Sequence, residues 1–269
     1  MQAGSDGMDL SDAYENGAYI PDGDSYRARW AVAAAQFRAG AQARPDLRYG
    51  PDTRNRLDLF LPTGRPRGLV LFIHGGYWRA LDRSSFSHLA AGPVARGWAV
   101  AMPSYTLAPA ARISAITREI ALALVRASEE VAGPIVVTGH SAGGHLSARM
   151  RCRDVALPDA VAARIARVLP ISPLSDLRPL MQTAMNADLR LDAAEAAAES
   201  PILKTDLRAC DTSVWVGAEE RPAFLDQARW LTEAWSDVRL RVAPGRHHLD
   251  VIEELEQADS PLSNALLGK

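Results

Sequence analysis

The residues with the most evident chemistry are Gly139-His-Ser-Ala-Gly-Gly144. They follow an apolar run, Pro134-Ile135-Val136-Val137-Thr138, and precede a stretch of helical character. A serine held in a sharp turn between a buried strand and a helix is presented as a nucleophile. The turn forces its backbone into a strained conformation that lifts the hydroxyl clear of the strand. Gly139 and Gly143 remove the β-carbons that would collide with the neighbouring strand or helix. The first turn of the following helix has free N–H groups, and that of Ala142 is placed to meet a developing oxyanion. Ser141 is therefore the candidate nucleophile. A serine hydroxyl is weak on its own, so a base within hydrogen-bond reach and an acid that orients the base must come from elsewhere in the chain.

The Gly-x-Ser-x-Gly turn at a strand-to-helix junction resembles the nucleophile elbow of the α/β-hydrolases, in which the order along the chain is Ser, acid, His. Six histidines are available. His140 and His145 flank the nucleophile and cannot face it from the correct side, so local packing is expected of both. His74 belongs to a second glycine motif and would brace it. His88 falls in a helical stretch and is expected on the surface or in the core. His247 and His248 follow the last apolar strand through Pro244-Gly245-Arg246, where the base belongs. Adjacent loop residues point different ways, so one of them serves, and His248 is the choice. For the acid, the strand ending at Val216 leads into Gly217-Ala-Glu-Glu220. Glu219 and Glu220 are both candidates, Glu220 is preferred, and Asp176 is the reserve. A metal reading of His247-His248-x-Asp250 is poor, because the histidines are adjacent rather than one turn apart and no further ligand cluster accompanies them. No metal or cofactor is expected.

A second oxyanion donor should come from the loop after Gly68-Leu-Val-Leu-Phe-Ile73. There His74-Gly-Gly-Tyr-Trp78 offers Gly75 and Gly76, whose backbones can approach a ligand that a side chain would exclude.

The elements that must position these groups alternate. A polar, Gly/Asp-rich arm spans 1–23, and Tyr26, Trp30, Ala34 and Phe37 form the stripe of an amphipathic helix over 24–39. Strands are expected at 56–61, 68–73, 98–102, 134–138, 167–171, 212–216 and 238–242, with helices near 84–96, 111–131, 142–151 and 222–235. Short helices over 177–200 would make a small partial lid. This alternation implies an α/β fold with a mostly parallel central sheet and helices on both faces. The length of 269 residues suits one domain, and 48% hydrophobic with 23% charged residues suits a globule with a full core. A net charge of -2 gives no footprint for nucleic acid, and no apolar run approaches a membrane span. The two cysteines form no Cys-x-x-Cys pair, and the first residues show no signal peptide. A cytoplasmic protein acting on a small molecule is expected, with a homodimer open through the arm or the lid.

Taken together, His74-Gly-Gly-Tyr-Trp78 and Gly139-His-Ser-Ala-Gly-Gly-His145 resemble the kynurenine formamidase (arylformamidase) branch of the α/β-hydrolases. Gly217-Ala-Glu-Glu-Arg-Pro-Ala-Phe224, with Gln227 beyond, is similar to that family's acid segment and places Glu220 at the acid position. His248-Leu-Asp-Val-Ile-Glu253 is similar to its terminal histidine segment. One departure is that the acid is Glu where the animal enzymes carry Asp. The resemblance implies hydrolysis of an N-formyl aryl amine by Ser141, His248 and Glu220 through an acyl-enzyme. Tyr77, Trp78, Tyr105 and Phe224 are expected near the mouth, where they could hold an aryl ring by stacking. The alternatives are a carboxylesterase of small esters and a catalytically silent binding protein on the same scaffold.

Overall fold

The computed structural model describes residues 9–268, so the first eight residues of the expected arm and the last residue of the chain lie outside the described residues. Eight strands form one sheet: β1 (Ala43–Arg48), β2 (Arg56–Phe60), β3 (Leu69–Ile73), β4 (Ala99–Pro103), β5 (Ile135–His140), β6 (Ile165–Ile171), β7 (Asp211–Gly217) and β8 (Arg239–Ala243). Their order is β1-β2-β4-β3-β5-β6-β7-β8. The β1–β2 and β2–β4 pairs are antiparallel, and every pair from β4 onward is parallel. Strand β1, Ala-Arg-Pro-Asp-Leu-Arg, was not expected. It is a mostly exposed, charged edge strand, so it lacks the apolar alternation that reveals a strand in sequence.

The helices are α1 (Tyr26–Gly40), α2 (Ala91–Ala95), α3 (Ile113–Glu130), α4 (Ala142–Arg149), α5 (Asp159–Ala162), α6 (Asn186–Leu189), α7 (Ala193–Glu199), α8 (Pro222–Ala234) and α9 (Pro261–Leu267). The helix expected over 84–96 is broken into two 3-10 turns, Arg83–Ser85 and Ser87–Ala90, before α2. A β-carbon on Gly92 would lie 2.4 Å from the Leu255 carbonyl oxygen, so two backbones meet there and the segment is shaped by packing.

Strands β3 and β5 are buried along their whole length, as a parallel sheet covered on both faces requires. Leu69, Leu71 and Ile73 turn to one face and join Ile116, Ile120 and Leu124 of α3. Val70 and Phe72 turn to the other and join Trp30 of α1, Phe86 and Leu262 of α9. The period-2 alternation of the strands thus feeds two helical layers. The 177–200 segment docks on the first face through Leu177, Leu180, Leu189, Leu191 and Ala196. Arg112 pairs with Asp192 and Glu195 on the same segment. The described part of the arm crosses that segment, where Leu10 N–H donates to Gln182 O at 2.8 Å and Ala184 N–H to Ser11 Oγ at 2.8 Å.

Candidate active site

Strand β5 ends at His140 and α4 begins at Ala142, so Ser141 makes the turn alone, with φ 57° and ψ −116°. That conformation is costly for a residue with a β-carbon and persists only where its surroundings fix it. Here they do: Ser141 N–H donates to Ile171 O at 2.9 Å, and Ser141 O accepts from His145 N–H at 3.0 Å. The glycines around it are forced by contact. A β-carbon on Gly143 would stand 1.9 Å from Ile73 O, and one on Gly139 would stand 2.4 Å from Gly143 O.

The loop after β3 comes against this turn. A β-carbon on Gly75 would lie 2.9 Å from His140 O and 3.3 Å from the β-carbon of Ser141. Gly76, Tyr77 and Trp78 then take positive φ in succession, at 104°, 49° and 55°. Two of these three residues carry large side chains, so the loop is strained beside the serine. Among the described residues, the N–H groups of Gly75, Gly76 and Ala142 have no backbone acceptor. These three amides are left available around Ser141.

Glu220 and His248 meet in a buried pair. His248 Nδ1–H donates to Glu220 Oε2 at 2.7 Å. Glu220 Oε1 accepts from Gly217 N–H at 2.8 Å and from the Ser172 hydroxyl at 2.5 Å. With Nδ1 as the donor, Nε2 is the acceptor nitrogen of the neutral ring. The imidazole packs between His140, 4.6 Å away between ring centres, and Phe224, at 4.2 Å. Because His140 immediately precedes Ser141, this sets the ring beside the elbow. Burial, and then the neighbouring His248, hold His140 well below the usual histidine range, so it stays neutral there.

The other candidates sit apart. Glu219 is exposed. Asp176 is bound to Arg178 at 2.8 Å and to the Arg178 N–H at 3.0 Å. His247 is turned away: Tyr26 Oη lies 3.1 Å from its Nε2, while its Nδ1 accepts the N–H groups of Leu249 and Asp250 at 3.2 Å. His74 braces the glycine loop. Its Nδ1–H donates to Gly75 O at 2.8 Å, its ring stacks flat on Tyr105 at 4.3 Å, and burial takes it down to about 4. His145 donates from Nε2 to Glu199 O at 2.8 Å and is taken down to about 4, also by burial. His88 is buried and has no hydrogen-bond partner on either nitrogen among the described residues.

The aromatic residues expected at the mouth require correction. Trp78 and Tyr105 are both 0% exposed and belong to the main core, so neither ring has a face for a ligand. Trp78 stands edge-on to His145, and Tyr105 Oη donates to His74 O at 3.0 Å, so they hold up the two glycine motifs from below. Phe224 is also fully buried, between His248 and Tyr14. Tyr77 is half-buried, and its hydroxyl donates to Tyr14 O at 2.5 Å.

Two contributions were not expected. Ser172 supplies a hydroxyl to Glu220 from a left-handed position, φ 48°, just after β6; the Ser172-Pro173 turn signal marked the bend but not this contact. The arm also forms part of the site. Asn16, Tyr19 and Ile20 join Glu219, Glu220, Arg221, Pro222 and His248 around a cavity of about 140 Å³. Tyr14 anchors the arm, with its hydroxyl accepting from Gln227 Nε2 at 3.0 Å. The described residues contain no group of three or more His, Cys, Asp or Glu able to hold a metal. Among the described residues, no helix is long and apolar enough to cross a membrane.

The chain is similar to named proteins along most of its length. A kynurenine formamidase of Danio rerio is 28% identical over 243 residues, covering 86% of this chain and 83% of that protein. One of Drosophila melanogaster is 27% identical, covering 82% and 79%. A crystal structure from Silicibacter sp. TM1040, provisionally described as a thioesterase, matches with a TM-score of 0.94 at 54% identity over 97% of this chain and 99% of that one. Esterase B of Lactobacillus rhamnosis shares the fold, with a TM-score of 0.67 at 19% identity over 90% of each chain. The model of the family described as alpha/beta hydrolase fold matches residues 70–250, and the chain, kynurenine formamidase-like in sequence, belongs to that family.

Proposed function

We propose that the protein is a serine hydrolase that cleaves a small acyl group from an aryl amine, as in hydrolysis of N-formylkynurenine to kynurenine and formate. The observation that carries this reading is the buried Glu220–His248 hydrogen bond of 2.7 Å beside a serine strained to φ 57°. In the first step Ser141 Oγ attacks the formyl carbon while His248 Nε2 takes the hydroxyl proton. The amides of Ala142, Gly75 and Gly76 receive the oxyanion, each such donor being worth about 10²–10³ in turnover. His248 returns the proton to the departing aryl amine as the C–N bond breaks, leaving a formyl ester on Ser141. Water then repeats the sequence: His248 takes its proton, formate leaves, and the serine is reprotonated. Glu220 keeps the imidazole in the tautomer that both steps need.

The relatives named kynurenine formamidase support the formamide. The neighbour provisionally described as a thioesterase, at 54% identity, favours a second reading in which the acyl group is carried on oxygen or sulfur. Turnover of N-formylkynurenine, p-nitrophenyl acetate and an acetyl thioester by one preparation separates them. The formamide reading expects the highest kcat/KM for N-formylkynurenine, and ester turnover with the formamide untouched would reject it. The presence of Ser141 at the turn, with Glu220 and His248 paired beside it, weighs against a silent binding protein. Free Cys152 and Cys210 fit a cytosolic location. A homodimer belongs to the same reading, supported by the edge strand β8 with Leu240 and Val242 exposed. Sedimentation of the wild type against Val242→Asp tests it.

A further inference from the structure

The proposed chemistry requires Glu220 Oε2 to face His248 throughout, yet the bonds of a glutamate do not fix it. Its terminal torsion is broad and roughly two-fold, so the carboxylate must be oriented by what it touches. The side chain is fully buried, and the carboxylate has no face open to solvent. Oε2 meets His248 Nδ1–H, and Oε1 meets the Gly217 N–H at 2.8 Å. With those two bonds alone the group could pivot about the Gly217 contact as the charge on the imidazole changes. The Ser172 hydroxyl, donating to Oε1 at 2.5 Å, adds a second donor. Ser172 follows β6, whereas Gly217 closes β7. Two donors on one oxygen, from two strand ends, fix where that oxygen lies and which way Oε2 points.

Ser172 is itself firmly held. It is fully buried at φ 48°, a left-handed conformation uncommon for a residue with a β-carbon. Glycine would accept that backbone without strain, so what serine adds at this position is its hydroxyl. The peptide group joining Ile171 to Ser172 is bonded at both ends. Ile171 O accepts the Ser141 N–H at 2.9 Å, and Ser172 N–H donates to Trp215 O at 2.7 Å. One peptide unit thus ties the backbone of the nucleophile to the strand that leads to the acid, and the side chain beside it reaches the acid itself.

We propose that Ser172 is a positioning residue of the hydrolase: its hydroxyl sets the rotation of the Glu220 carboxylate and, through it, the tautomer and aim of the His248 ring, in register with Ser141. The inference rests on the hydrolase reading above and goes beyond it, because that reading needs only a nucleophile, a base and an acid. It holds whichever acyl group is cleaved. Among the described residues the Ser172 hydroxyl bonds to neither Ser141 nor His248, so its whole effect passes through Glu220.

The rate at which a fluorophosphonate labels Ser141 in the intact protein tests this without a choice of substrate. Ser172→Ala and Ser172→Gly are each measured in the wild type and in a Glu220→Ala background, with a thermal melt of every variant. Glycine is at ease at φ 48°, so Ser172→Gly should fold with a Tm within about 4 °C of the wild type. In the wild-type background both substitutions should slow labelling about tenfold, the size of one hydrogen bond to a charged group. In the Glu220→Ala background neither should slow it by more than about twofold, because the group through which Ser172 acts is gone. A folded Ser172 variant labelled within about twofold of the wild-type rate would overturn the proposal. An equal loss in both backgrounds would also overturn it, by assigning the effect to the elbow backbone that Ile171 O holds. A wild type that takes no label rejects the hydrolase reading and the proposal with it, whereas a labelled wild type with unslowed Ser172 variants rejects the proposal alone.

Discussion

Glu220→Gln is the most discriminating single substitution, because the hydrogen bonds around the carboxylate dictate how an amide must sit. Oε1 accepts two donors, the Ser172 hydroxyl at 2.5 Å and the Gly217 N–H at 2.8 Å, whereas among the described residues Oε2 accepts only His248 Nδ1–H. Glutamine retains a single acceptor oxygen, and two donors against one place it at the Oε1 position. Its NH2 then faces His248 Nδ1, which must become an acceptor. The ring proton moves to Nε2, the atom that has to receive the serine proton. In serine protease triads the equivalent wrong-tautomer change lowers kcat by about 10⁴, or roughly 5 kcal/mol at 1.36 kcal/mol per decade. The number of hydrogen bonds is nearly conserved, so stability should change by no more than about 1 kcal/mol, or roughly 2–4 °C in Tm for a domain of this size. The assay is kcat on the best substrate of the panel together with a thermal melt. A loss below about tenfold in a folded variant would refute the assigned role of Glu220.

Three further outcomes follow from the same geometry. Gly143→Ala puts a β-carbon 1.9 Å from Ile73 O, a backbone clash no rotamer relieves, whereas a β-carbon on Gly40 meets nothing within 4 Å. Gly143→Ala should lower Tm by several degrees or prevent folding, and Gly40→Ala should be neutral or stabilise by roughly 0.5 kcal/mol, by thermal melts. His74 and His145 are each taken from 6.5 to about 4 by burial. Because their pKa is depressed in the folded state, the unfolded chain binds more protons between those values, so stability is full above pH 6.5 and falls as pH drops toward 4. Each contributes an effect on the order of 3 kcal/mol, and the urea midpoint should fall steadily from pH 7 to pH 4.5; a flat profile would contradict it. Arg149 is 3% exposed and pairs with Glu199 at 3.2 Å and Asp154 at 3.0 Å. Arg149→Met strands the buried Glu199 and should cost about 3–5 kcal/mol by urea unfolding, largely recovered by adding Glu199→Gln.

The parts of the site that were legible in sequence are those set by local backbone demands. A Gly-x-Ser-x-Gly turn can be read because only glycine fits where Gly139 and Gly143 face backbone oxygens. His248 and Glu220 could be reached through chain order, since loops at the ends of successive parallel strands converge. The central strands announced themselves as unbroken apolar runs, whereas the charged edge strand β1 did not. Trp78 and Tyr105 were misjudged because burial is a tertiary property. An aromatic next to a glycine motif can face a ligand or support the motif from beneath, and its neighbours His145 and His74 are distant in the chain or already committed. Asn16 and Tyr19 gave no signal at all. They sit in a Gly/Asp-rich segment without periodicity, and only folding of the arm against α8 brings them to His248.

The central claim is that Ser141 is an activated nucleophile, and intact-mass measurement after treatment with a fluorophosphonate tests it most directly. The account predicts one adduct per chain on the wild type, mapped to Ser141, and none on Ser141→Ala. No adduct on the folded wild type, or an equal adduct on Ser141→Ala, would contradict it.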